Sequence, residues 1–208
     1  MISKSEREQI IALINREVVP AIGCTEPIAV ALCVAKATET LGCRPEKIQA
    51  LWSANILKNA MGVGIPGTGM IGLPIAIALG ALIGKSEYQL EVLKDSTPEA
   101  VEEGKKLIDS QAINIALKYG IEEKLYIEII CEAQGKKATA IISGGHTNFV
   151  YVARDGEVLV NKQTSAADEA AADDVELTLR KVYDFATTSP IEELKFILET
   201  RNLNKKAA

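Results

Sequence analysis

The run 124-KLYIEIICEAQGKKATAIISGGHTNFVYVARDGEVLV-160 decides the fold class. Its apolar residues recur every second position. Leu125, Ile127, Ile129 and Cys131 alternate with Tyr126, Glu128 and Glu132, the pattern of a half-buried strand. Gln134-Gly135-Lys136 turns the chain into a second strand, Ala138–Ser143. Phe149–Arg154 and Glu157–Val160 then flank Asp155-Gly156, a strong signal for a two-residue hairpin. An antiparallel meander is expected here.

Upstream the period is helical. Ser5 and Glu8 fit a capping box before the stripe Ile10, Ile11, Leu13, Ile14, Val18, which Pro20 ends. Ala21 to Pro27 reads as a turn into a helix from about Ile28 to Leu41. Pro27 suits its first turn, Thr25 or Glu26 its N-cap and Gly42 its C-cap. Lys47 to Ser53 alternates as a strand with Ile48, Ala50 and Trp52 on one face. Ser96-Thr97-Pro98-Glu99 begins a helix whose face Val101, Ile108, Ala112, Ile115, Tyr119 runs to Gly120. Val175 to Phe185 is helical again, and Ser189-Pro190-Ile191-Glu192 starts a last helix through about Leu203. The expectation is one α+β domain over residues 1–208, with an antiparallel sheet packed against several helices.

Composition narrows the function classes. With 48% hydrophobic and 25% charged residues, the chain supports a sizeable core. Aromatic residues make up only 4%, so that core rests on Ile, Leu, Val and Ala. A net charge of −5 gives no electrostatic footprint for nucleic acid. Lys4 and Arg7 precede charged, periodic sequence rather than an apolar leader, so a cytoplasmic protein is expected. Of the four cysteines, Cys33 and Cys131 sit on apolar faces as small core residues, and no C-x-x-C pair occurs.

Ser53 to Gly84, SANILKNAMGVGIPGTGMIGLPIAIALGALIG, is the most unusual stretch. Asn55, Lys58 and Asn59 open it, and no charge follows until Lys85. Nearly half of the fifteen glycines fall within it, implying backbone conformations closed to side chains, or close approach to another group. It reads as a tight wall around a small ligand leading into a buried apolar helix. A glycine-rich turn without ligand is the plainer alternative. Gly67-Thr68-Gly69-Met70-Ile71-Gly72 also fits G-x-G-x-x-G, but Pro66 and Pro74 flank it and no strand follows at βαβ distance. A membrane span is disfavoured, because Met70 to Ile83 is too short and the glycines and prolines break it.

Two further residues stand out. Cys24 lies beside a helix N-terminus, where the dipole favours thiolate, although Glu26 works against it. The single histidine, His146, lies in the polar loop Ser143-Gly-Gly-His-Thr-Asn148 between strands. It reads either as an acid, base or hydrogen-bond donor, or as an exposed loop histidine. The Asn/Lys/Asn cluster before a glycine-rich loop suits an amino-acid carboxylate held by backbone N–H groups and a cation. Lys58 supplies that charge or, if desolvated, a base; a solvated helix lysine is the plain alternative.

Gly23-Cys24-Thr25-Glu26-Pro27, Ser53-x-Asn55-x-x-Lys58-Asn59, Val63-Gly-Ile-Pro-Gly-Thr-Gly69 and His146-Thr147-Asn148 together resemble the L-cysteine desulfidase family. That family is related to the alpha domain of iron–sulfur L-serine dehydratases. The likeness runs along the whole chain but corresponds to the N-terminal half of the usual family chain. It implies a β-eliminating lyase that uses a [4Fe-4S] cluster and no pyridoxal phosphate, releasing sulfide, ammonia and pyruvate from L-cysteine. An L-serine-deaminating enzyme and a non-catalytic amino-acid-binding module are the alternatives. By resemblance, Cys24 is a cluster ligand or a thiolate acting on substrate, and Lys58 and His146 complete the catalytic set. Glu26, Ser53, Asn55, Asn59, Gly67, Thr68, Gly69 and Asn148 face the substrate. The remaining cluster thiolates are expected outside this chain, on a C-terminal-half polypeptide. A homodimer is the other expected partnership.

Overall fold

Two helices open the chain, α1 (Lys4–Glu17) and α2 (Thr25–Leu41), and they belong to different parts of the molecule. The computed structural model describes residues 2–162 and 175–207. These form two compact units, one of residues 2–20 with 175–207 and one of residues 21–162.

In the larger unit, α2 is the centre. Pro27 through Ala35, Ala37 and Leu41 are all buried, and Gly42 caps the C-terminus at φ 81°. After α2 come β1 (Lys47–Trp52), α3 (Ala54–Ala60), a small hairpin of β2 (Gly64–Ile65) and β3 (Met70–Ile71), and α4 (Leu73–Leu82). Next are a 3-10 turn at Ser86–Glu91, α5 (Pro98–Asp109) and β4 (Ile113–Leu117). Four antiparallel strands complete the unit: β5 (Tyr126–Ala133), β6 (Lys136–Ser143), β7 (Phe149–Arg154) and β8 (Glu157–Asn161). The six-stranded sheet has the order β4-β1-β5-β6-β7-β8, and only its β4–β1 pair is parallel. The fold is therefore α+β, as the alternation of residues 124–160 indicates. Asp155 and Gly156 both take positive φ, 50° and 88°, as a tight primed hairpin turn requires.

One face of this sheet packs on α2. Ile48, Ala50 and Trp52 of β1 and Ile127, Ile129 and Cys131 of β5 are at most 1% exposed. Each such Ile or Leu contributes about 1.5–3 kcal/mol of burial. On its other side α2 meets α4, buried from Leu73 through Ala81 apart from Pro74. Small residues set that seam. A Cβ on Gly80 would lie 2.6 Å from the Ala31 carbonyl oxygen and 3.1 Å from Val34 Cβ.

The stretch expected as one helix to Gly120 divides. Helix α5 stops at Asp109, Gln111 takes a left-handed φ of 59°, and Ile113–Leu117 becomes β4. The 3.6-residue spacing of Ala112, Ile115 and Tyr119 is overridden by pairing: Ile113 to Leu117 align with Ile48 to Trp52 of β1. A β-branched segment beside an available strand gains more from that ladder than from extending a helix.

The smaller unit is helical: α1 with α6 (Leu179–Thr188), α7 (Ile191–Leu194), a 3-10 turn at Lys195–Ile197 and α8 (Leu198–Ala207). The capping box of α1 is Ser3 with Glu6, two residues before the expected one. Glu6 N donates to Ser3 Oγ at 3.2 Å, and Ser3 N donates to Glu6 Oε2 at 3.0 Å. Helix α6 starts at Leu179 rather than Val175 because the Thr178 hydroxyl caps it, accepting from Lys181 N at 3.2 Å. The last expected helix is interrupted by the 3-10 turn. Arg7 Nε donates to Glu193 Oε2 at 2.9 Å, and Lys181 Nζ lies 3.3 Å from Glu6.

Gly80→Ala adds helix propensity but drives a methyl into backbone, so overpacking outweighs the gain. A net loss of about 1–3 kcal/mol is expected in thermal or urea unfolding. Gly62→Ala, where a Cβ meets nothing within 4 Å, is expected to leave stability within about 0.5 kcal/mol.

Candidate functional site

Four segments meet near the N-terminus of α2. Cys24 is the N-cap, with extended φ −69° and ψ 135°, and Thr25 and Glu26 form the first turn. Gly23, at φ +83°, lies directly against the glycine-rich turn. A Cβ there would fall 2.8 Å from Pro66 Cγ. Helix α3 brings Asn59, and the loop after β6 brings His146.

Glu26 joins them. Cys24 Sγ donates to Glu26 Oε2 at 3.1 Å, Thr25 Oγ1 donates to the same oxygen at 3.3 Å, and Asn59 Nδ2 donates to Oε1 at 3.2 Å. Burial opposes the carboxylate charge. Donation from Cys24, from its own N–H and from Asn59 nevertheless holds Glu26 below its ordinary range. Burial pushes the Cys24 thiol up, and the Glu26 carboxylate adds to this. The backbone N–H groups of Glu26 and Thr25 do favour thiolate, as a helix start should, but they are outweighed. Burial and Glu26 thus oppose the thiolate that the helix start favours, in the sense weighed from the sequence, and Cys24 Sγ donates to the carboxylate.

The remaining candidates divide by how their polar atoms are used. Asn55 and Lys58 are exposed on α3. His146 is half-buried, and among the described residues its Nε2 is buried with no hydrogen-bond partner. Ser53 is buried, and its hydroxyl donates to the Lys124 carbonyl at 2.6 Å, fixing the start of α3 to the lead-in of β5. Thr68 is turned inward. Its hydroxyl donates to the Ile65 carbonyl at 2.7 Å and accepts from Met70 N at 3.0 Å, which folds the hairpin on itself. Gly67 and Gly69 take φ 76° and 64° in that turn. Asn148 Nδ2 donates to the Ser143 carbonyl at 3.0 Å, and its oxygen accepts from Lys162 Nζ at 3.3 Å, so its amide braces the His146 loop.

Cys33 and Cys131 are core residues, fully buried between α2 and the sheet, where burial pushes Cys131 up to about 12. Among the described residues no three of His, Cys, Asp and Glu converge as a metal-holding group. Cys24, Cys33, Cys43 and Cys131 do not form a four-thiolate set among the described residues. No described helix is long and apolar enough to cross a membrane.

Glu26→Gln removes the negative charge beside Cys24. The pH midpoint of Cys24 alkylation by iodoacetamide is expected to fall and the rate at pH 8 to rise several-fold. Peptide-mapped alkylation kinetics check this; an unchanged or slower rate would contradict the geometry.

The chain is similar to UPF0597 proteins. It is 80% identical over 208 residues to one from Phocaeicola vulgatus, a match covering 100% of this chain and 48% of that protein. It is 76% identical over 206 residues to one from Bacteroides fragilis, with 99% and 48% covered. One from Aeromonas hydrophila is 40% identical over 208 residues, with 99% and 47% covered. No family model matches the chain, and neither does any solved structure. The chain aligns with these UPF0597 proteins over its whole length and spans about half the length of the curated relatives it matches.

Proposed function

We propose that this partial-length UPF0597 chain is the N-terminal portion of an iron–sulfur-dependent β-eliminating lyase acting on L-cysteine. The observation that carries the reading is the meeting of Cys24, Glu26 and Asn59 on the turn that holds Pro66. The motifs that resemble L-cysteine desulfidases are the same segments. They are far apart in sequence, and their convergence supports one shared role.

In this reading, Glu26 stays ionised and receives the substrate ammonium, displacing or sharing the donors it now accepts. Lys58 and backbone N–H groups of the glycine-rich turn hold the substrate carboxylate. A base takes the Cα proton, the Cβ–S bond breaks and sulfide leaves. The aminoacrylate then tautomerises to an imine, which water converts to pyruvate and ammonia. In this reading His146, whose Nε2 has no hydrogen-bond partner among the described residues, takes that proton, and Cys24 serves as a cluster ligand. The cluster thiolates beyond Cys24 belong to the half of the enzyme that this chain does not include, and no step is assigned to the cluster here.

The test pairs this chain with a polypeptide covering the remaining half of the Phocaeicola vulgatus relative, reconstituted anaerobically with iron and sulfide. Pyruvate and sulfide in equal amounts from L-cysteine are expected, and Cys24→Ala should lower the rate by about 100-fold or more. Pyruvate from L-serine alone would move the substrate assignment to serine. A cluster-loaded pair inactive on both amino acids would overturn the lyase reading.

A further inference from the structure

An apolar stripe on α6 of the helical unit is solvent-exposed. On α6, Leu179, Val182, Tyr183 and Ala186 recur at i, i+3, i+4 and i+7, the spacing of a core-facing helix. Yet Leu179 is 91% exposed and Tyr183 63%. Ile191 on α7 and Leu198 on α8 are exposed to 71% and 61%. The buried apolar side chains of this unit, among the described residues, are Ile10 and Phe185. Phe185 lies roughly a third of a turn away from the stripe centre at 100° per residue, so the stripe is a second apolar face and not the flank of the buried one. The larger unit differs sharply, because its helices α2 and α4 bury nearly all their apolar residues.

An exposed apolar stripe along one helix marks a docking surface. The UPF0597 relatives supply the occupant. This chain matches them along its whole length and reaches only 48% of theirs, leaving about as much polypeptide again with no counterpart here. We propose that the α6 face formed by Leu179, Val182, Tyr183 and Ala186 docks that remaining half of a family chain. The helical unit is then one layer of a helical domain whose second layer comes from the other half. This inference is independent of the lyase chemistry and holds or fails without it.

The experiment mixes the full chain with the remaining-half polypeptide of the Phocaeicola vulgatus relative and measures mass by light scattering after gel filtration. A one-to-one complex is expected. Leu179→Asp with Tyr183→Asp should weaken it at least tenfold. Both side chains are solvent-exposed in the free chain, so its circular dichroism and unfolding midpoint should not move. Val158→Asp, on exposed β8 of the larger unit, should leave the complex intact. Three results overturn the proposal: no complex, a complex indifferent to the α6 double variant, or a homodimer of this chain that the same double variant breaks.

Discussion

The burial of α2 is the constraint on which the larger unit depends. A helix dry from Pro27 to Ala35 cannot rotate or slide without exposing one apolar face and clashing at another. The sheet fixes it on one side through Ile127, Ile129 and Cys131, and the Gly80–Ala31 approach fixes it on the other. Its N-terminus is thereby fixed as well. Cys24 and Glu26 are placed by a core that neither residue helps to build, which leaves both free for chemistry.

At that terminus two electrostatic influences compete. The helix start offers N–H groups to an anion, and either the Cys24 sulfur or the Glu26 carboxylate can take that role. Glu26 takes it, because an ordinary carboxylate ionises far more readily than a thiol and it also collects donors from Thr25 and Asn59. Cys24 becomes a donor instead. The site therefore rests with one negative charge shared over several hydrogen bonds, and with a histidine nearby whose Nε2 is unpartnered among the described residues.

Much of this was legible in the residues. The meander of residues 124–160, the β1 alternation, the Gly42 cap and the buried helix after the glycine-rich turn all follow from local period and turn chemistry. Strand β4 was not legible, since Ala112, Ile115 and Tyr119 fit a helical face equally well and only the distant β1 decides between them. At the site, the sequence brought forward Cys24, Glu26, Asn59 and His146 but not the hierarchy among them. The opposition of Glu26 to a Cys24 thiolate was local enough to read, whereas the Asn59 bond to Glu26 spans 33 residues and was not. Ser53, Thr68 and Asn148, read from sequence as ligand-facing, also carry structural bonds that the sequence did not show, to the Lys124 carbonyl, within the hairpin and to the His146 loop. A signal existed for Thr68, because a hydroxyl between two glycines in a turn commonly bonds its own backbone.

The contact between Gly23 and the Pro66 ring is the most direct point of attack on this account, since it sets the thiol-bearing helix start against the glycine-rich turn. Nuclear Overhauser spectroscopy on the labelled chain reads it directly. Cross-peaks between the Gly23 α-protons and the Pro66 γ- and δ-protons are the result the account predicts. Assigned resonances for both residues with no cross-peak between them would separate the helix start from the turn, and the shared site with it.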